Sequence, residues 1–189
     1  PRLPRRSRGT LQHHPVEACR REELVLVCRL ERLAGHVLGG QGEQLLSDGD
    51  LSELAKRAVE VAKCACVLNR VELSVLRDGL ADGAGAKGLF GALFHLLPLA
   101  GDPGPALAAY LEAVAGLSLR VKTAASKWSL ATALPFLARP DAFLLLKPEI
   151  SKPAAERLRF DLAYQVEPNP RTWDKHLRMG RALLERLAP

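Results

Sequence analysis

The residue types able to ligate a metal or act as nucleophiles are few in this 189-residue chain, and their spacing is uncooperative. The four cysteines are Cys19, Cys28, Cys64 and Cys66. Zinc modules bring two ligands together at CxxC spacing on a turn. Cys64 and Cys66 instead lie two residues apart in a stretch that reads as helix, so their side chains point about 200° apart. Cys19 and Cys28, nine apart on another predicted helix, also diverge. Small, partly buried thiols are expected, with neither a disulfide framework nor a metal site. The histidines, His13, His14, His36, His95 and His176, stand in no HExxH-type spacing. His95 falls in a strongly apolar run, where a hydrogen-bonded core or boundary histidine is expected. No serine sits in a GxSxG elbow. Asp48 with Asp50, and Asp78 with Asp82, read as loop or cap pairs. No catalytic constellation emerges, and no cofactor is expected.

Gly83, Gly85 and Gly88 spell GxGxxG. The dinucleotide form of that motif needs a strand before it, a helix after it and an acid about 20 residues on. Here a predicted helix precedes it, and the next acid, Asp102, is 14 residues beyond Gly88. Residues 82–88 are therefore expected to be a flexible helix–helix linker. A phosphate at the start of the following helix, beside Lys87, is the lesser reading.

Charge is more informative by location than by total. The net charge is +6, and Arg2, Arg5, Arg6 and Arg8 supply four of it within residues 1–15, which hold no acid. The remaining body is near +2, too close to neutrality to be a strong phosphate binder by composition. The arm also holds three prolines and a glycine, so it is expected to be disordered, with Arg5 and Arg6 as candidate phosphate contacts. Residues 139–189 are net positive by three, including Lys147, Arg171, Lys175, Arg178, Arg181 and Arg186. Such a section can touch nucleic-acid backbone or an acidic protein; a solvated face is the plain alternative.

The elements that position these groups are helices. Leu and Ala dominate the apolar 48%, and aromatics are only 5%, which suits helix-on-helix packing better than sheets. Leu24, Val27, Leu30, Leu33 (or Ala34) and Val37 recur at helical spacing across residues 16–38, and the glycines of 39–42 are expected to stop that helix. Asp50 is a plausible N-cap for one long amphipathic helix reaching Gly79. Its face would carry Leu54, Ala58, Val61, Leu68, Glu72 and Val75, with Glu53 and Arg57 paired at the surface. Further helices are predicted over 89–97, from Pro105 or Ala106 to Gly116, and over 122–138, where Pro135 kinks or shortens the helix. Residues 139–141 form a turn, and 143–146 are too few to separate strand from helix. Ser151 would cap a short helix with Pro153 in its first turn. A last helix over 171–187 should bury Trp173, Leu177, Gly180, Leu184 and Leu187. The sum is an all-α fold: a single orthogonal bundle of six or seven helices over 16–189, with the basic arm at 1–15. No run of about 18 uncharged apolar residues would span a membrane. The Arg-rich start continues into polar residues, so no signal peptide is expected and the cytoplasm is the expected compartment.

Two resemblances add to this. Residues 114–124, Val-Ala-Gly-Leu-Ser-Leu-Arg-Val-Lys-Thr-Ala, with 139–143 downstream, resemble the hairpin of helix-hairpin-helix DNA glycosylases. The resemblance implies that Gly116 is the first hairpin glycine, near a DNA phosphate, and that Arg120 or Lys122 falls near where some members carry a nucleophilic lysine. Ser118 replaces the second glycine, two extra residues intervene, and Leu144 to Lys147 stand where an aspartate is expected, which argues against glycosylase chemistry. Separately, Lys127-Trp128, Thr132, Pro140, Leu146-Lys147-Pro148, Pro168-Asn169-Pro170 and Trp173 resemble an uncharacterised bacterial helical domain spanning about residues 120–188. The leading expectation is a non-catalytic, nucleic-acid-associated binding module using Arg5, Arg6, Arg120, Lys122 and Lys147, with DNA or RNA backbone as partner. A protein-interaction or scaffolding domain of a bacterial system, or an enzyme whose site is assembled from distant residues, are the alternatives.

Overall fold

A computed structural model describes residues 34–99, 104–117 and 124–187. Eight α-helices and no strand occur among the described residues. In chain order they are α1 (Gly40–Asp48), α2 (Leu51–Cys64), α3 (Arg70–Leu80), α4 (Gly83–Leu96), α5 (Gly104–Ala115), α6 (Ala124–Ala138), α7 (Pro148–Arg157) and α8 (Pro170–Leu187). The all-α class is as the composition implies; the count exceeds six or seven because start signals split the longer periodic stretches.

Three element limits differ from the sequence reading. Residues 34–37 are helical and turn at Leu38 and Gly39, but the glycine run then opens α1 instead of a loop. Gly42 is required there: a Cβ would lie 2.5 Å from the Val37 carbonyl oxygen and 2.7 Å from Phe94 Cζ. The long helix expected from Asp50 to Gly79 is two helices. Asp50 does cap α2, accepting from the Glu53 amide at 3.2 Å, and Arg57 Nε meets Glu53 Oε1 at 2.7 Å. The chain breaks after Cys64 because Asn69 and Glu72 form a capping box: the Glu72 amide donates to Asn69 Oδ1 at 2.9 Å and the Asn69 amide to Glu72 Oε2 at 2.8 Å. Glu72, the one polar interruption of the apolar stripe, is thus a helix start. The supposed linker at 82–88 is the first turn and a half of α4, with Asp82 accepting from the Ala84 amide at 3.2 Å. A good cap followed by Ala84, Ala86 and Lys87 outweighs the glycines.

In the C-terminal half, α6 runs through Pro135 to Ala138 without ending early. Residues 140–142 turn as expected, and 143–147 form neither helix nor strand. Helix α7 begins three residues before the Ser151 expected to cap it, because Pro148 takes its first turn and Lys147 the cap position. Asn169 caps α8, accepting from the Thr172 amide at 2.9 Å.

One apolar core joins these elements. Leu38, Leu54, Phe90, Leu93, Tyr110 and Leu134 are fully buried within it, and Trp128, Phe143, Leu146 and Trp173 close it from the C-terminal side. Helix α8 contributes Trp173, Leu177 and Gly180, but Leu184 and Leu187, expected in the core, are 67% and 77% exposed. Periodicity assigned them to the correct stripe, and the body ends before they reach it. No helix among the described residues is long and apolar enough to cross a membrane.

Candidate functional site

Lys127, Trp128 and Thr172 help hold the segment between α7 and α8 in place. Trp128 is fully buried, and its Nε1–H donates to the Gln165 carbonyl at 2.8 Å. Lys127 pairs with Glu167. The Thr132 hydroxyl donates to the Trp128 carbonyl at 2.8 Å and accepts from the Leu146 amide at 2.9 Å, tying the 143–147 stretch to α6. On the far side the Thr172 hydroxyl donates to the Ala163 carbonyl at 2.8 Å. Asp161 accepts from the Ala163 amide at 2.9 Å and pairs with Lys175, whose hydrogen bond holds the carboxyl below its ordinary range. Trp173 packs between Tyr110 and Phe143, with ring centroids 6.0 Å and 6.1 Å away.

Among the described residues no acid–base pair is assembled around this aromatic cluster. Tyr110 is wholly buried, and that burial pushes its phenol far above the ordinary range, so it stays protonated. His176, on the next turn of α8 from Trp173, is lowered by burial, with a smaller opposing effect from the Leu145 carbonyl 3.4 Å from Nε2. That contact fits a neutral ring with its proton on Nε2, leaving Nδ1 without a partner among the described residues. Glu72, also buried, is engaged in its capping box. Among the described residues no three His, Cys, Asp or Glu side chains gather as a metal site. Cys64 and Cys66 are exposed, not partly buried as expected, because the chain breaks between α2 and α3 at that point. His95 is likewise exposed, on the solvent side of α4, not in the core.

What the described surface offers is α8. Arg171, Lys175, Arg178, Arg181 and Arg186 fall on one face of it, about 140° wide by helical geometry. Lys175 is engaged by Asp161, and Arg178 by Asp174 at 2.8 Å. Arg171, Arg181 and Arg186 are exposed and make no ion pair among the described residues. Beside this face, between the 139–144 turn and α8, lies a cleft of about 330 Å³ floored by Phe143, Leu144 and Gly180, with Arg139 and Arg181 at its rim. Gly180 makes the floor: a Cβ there would fall 2.0 Å from Leu144 Cδ1. Arg139 is held by Asp141 at 2.8 Å.

Of the five residues expected to bind nucleic acid, Arg5, Arg6, Arg120 and Lys122 lie outside the described residues, as does most of the glycosylase-like hairpin after Leu117. Cys19, Cys28, His13 and His14 lie outside them too. Lys147 is described: it is half-buried at the start of α7, far along the chain from the α8 cations and not part of the cleft. Sequence reasoning found the α8 cations but not the cleft, whose one signal was a glycine inside an amphipathic helix. Compared with protein-family models, curated proteins and solved structures, the chain matches none.

Proposed function

We propose that the chain is a non-catalytic binding module that holds nucleic-acid backbone along the outward face of α8, assisted by its basic arm. The observation that carries this is the set of three arginines, Arg171, Arg181 and Arg186, that make no ion pair among the described residues, on a helix face whose only acids are Asp174 and Glu185. Unpaired guanidinium groups keep their donors free for phosphate oxygens, and the helix presents them over about 22 Å from Arg171 to Arg186, more than the width of a duplex groove. Engaged cations such as Lys175 and Arg178 contribute less, because phosphate must compete with Asp161 and Asp174.

The test is binding of the whole chain to short single- and double-stranded DNA and RNA at low and moderate salt. The triple variant Arg171→Gln/Arg181→Gln/Arg186→Gln should lose affinity and flatten the logarithmic salt slope on duplex DNA by about 2 to 3. The pair Arg5→Gln/Arg6→Gln measures the arm separately. Salt-sensitive binding that survives the triple variant unchanged, or no binding at all, overturns the reading. A protein-interaction reading is favoured by a different observation, the exposed Leu184 and Leu187 at the end of the same helix.

A further inference from the structure

A divergence of about 200° between Cys64 and Cys66 holds only while both stand on one helix. Helix α2 ends at Cys64. Ala65, at its C-terminal cap, keeps right-handed backbone at φ −74° and ψ −11°, and Cys66 turns left-handed at φ 54°. Right-handed backbone at the one intervening residue sets the two Cα atoms about 5.4 Å apart. That separation lies within the range spanned by two cysteines joined through their sulfurs. The left-handed turn, which cysteine does not favour, then re-aims the second side chain.

Both sulfurs lie against the last turn of α2. Cys66 Sγ is 3.7 Å from the carbonyl oxygen of Lys63, part of the peptide unit that enters Cys64. Cys64 Sγ is 4.0 Å from Glu60 Oε1. The two thiols are free and exposed, so packing does not lock their rotamers.

The donor set selects the ligand. Thiolate sulfur is soft and suits Cu(I), whereas Mg²⁺ and Ca²⁺ take oxygen. Structural zinc takes four ligands, and among the described residues no three His, Cys, Asp or Glu side chains gather. Cu(I), a closed-shell ion of low coordination number, is satisfied by two thiolates. The C-terminal end of α2 carries the partial negative charge of its carbonyls, which favours a cation there. Lys63 Nζ, 3.2 Å from the same Glu60 oxygen that Cys64 approaches, is placed to balance the charge that two thiolates leave on a monovalent ion.

We propose that Cys64 and Cys66 chelate a soft monovalent metal ion, Cu(I), at the C-terminal end of α2. On binding, both S–H groups release their protons to solvent and two Cu–S bonds form, with no change of oxidation state. The chelate closes across Ala65 alone and shares no residue with the α8 face. It does not depend on the nucleic-acid reading, and its test needs no nucleic acid.

Anaerobic titration of the reduced whole chain with Cu(I), in competition with the coloured chelator bicinchoninate, decides it. The unaltered chain should take Cu(I) from the chelator, and so should Cys19→Ser/Cys28→Ser. Cys64→Ser and Cys66→Ser should each lose the ion while keeping the parent's Tm, because both positions are exposed. In the unaltered chain the bound ion should also slow alkylation of Cys64 and Cys66 by iodoacetamide, mapped by mass spectrometry. A chain that takes no Cu(I), serine variants at 64 and 66 that retain it, or alkylation rates that the ion leaves unchanged would overturn the proposal. Displacement of Cu(I) by an equal concentration of Zn²⁺ would overturn the choice of a soft ion. Sedimentation showing that each ion joins two chains would overturn the chelate within one.

Discussion

Replacing Thr132 with valine tests whether this buried side chain is scaffold, since it holds α6 and the 143–147 stretch at one point. Its hydroxyl accepts from the Leu146 amide at 2.9 Å while donating to the Trp128 carbonyl at 2.8 Å, and both Thr132 and Leu146 are fully buried. Valine keeps the shape and removes the acceptor. The Leu146 amide is then left buried without a partner, which costs about 1–3 kcal/mol. For a chain of this length about 2 kcal/mol lowers Tm by about 4–8 °C. Serine keeps the hydroxyl and loses one methyl, about 1 kcal/mol, so the order of stability should be Thr, then Ser, then Val. Thermal unfolding and denaturant titration read the order, and the exchange rate of the Leu146 amide reads the cause. A valine variant as stable as the parent, or more stable than the serine variant, refutes the reasoning. The hydroxyl would then be dispensable, and a functional reason for a threonine at this position would have to be sought.

Two further outcomes follow from single groups. Burial lowers the His176 pKa from its ordinary 6.5, so the folded state binds fewer protons than the unfolded one as the solution is acidified. Stability should therefore be complete above about pH 6.5 and fall progressively below it, and urea midpoints at pH 7 and pH 5 should differ less for His176→Gln than for the parent. Two helical glycines should respond to alanine with opposite sign: Gly42→Ala meets the Val37 carbonyl and Phe94 and should lose about 1–2 kcal/mol. Gly91→Ala, with nothing within 4 Å of the new Cβ, should gain about 0.5–1 kcal/mol in denaturant unfolding.

The sequence showed helix type better than helix limits, and the physical reason is visible at each error. Hydrophobic periodicity carried the helix of Asp50 through to Gly79 because the buried faces of α2 and α3 share a repeat: Leu54, Ala58 and Val61 lead in phase to Val75. Only the Asn69–Glu72 pair marks the break, and a buried glutamate is easily read as an interruption of a stripe when it is a reciprocal cap. Glycine misled in the same way at 39–42 and 82–88. Glycine weakens a helix by about 1 kcal/mol per residue, but at 82–88 the Asp82 side-chain cap and the fully buried Ala86, and at 39–42 the buried Gly42, offset that cost. Leu184 and Leu187 are the reverse case. Their spacing is right, and what fails is the assumption that a neighbouring element lies opposite every turn of a helix, which periodicity along one segment does not specify.

The roles of Trp128, Thr132 and Trp173 bear on where any activity resides. Each is fully buried and two of them tie α6 to the segments around it, so substitutions there would reduce binding by loosening the support of α8, whatever α8 binds. Loss of function in a Trp128 or Trp173 variant is therefore no evidence of a site at those residues. Arg171, Arg181 and Arg186 differ, because they are exposed and unpaired among the described residues, and surface substitutions of that kind change stability little. A loss of nucleic-acid affinity in their variants, at unchanged Tm, would separate contact from support. An equal loss in a Thr132→Val protein that is still fully folded at the assay temperature would place the requirement in the orientation of α8 as well.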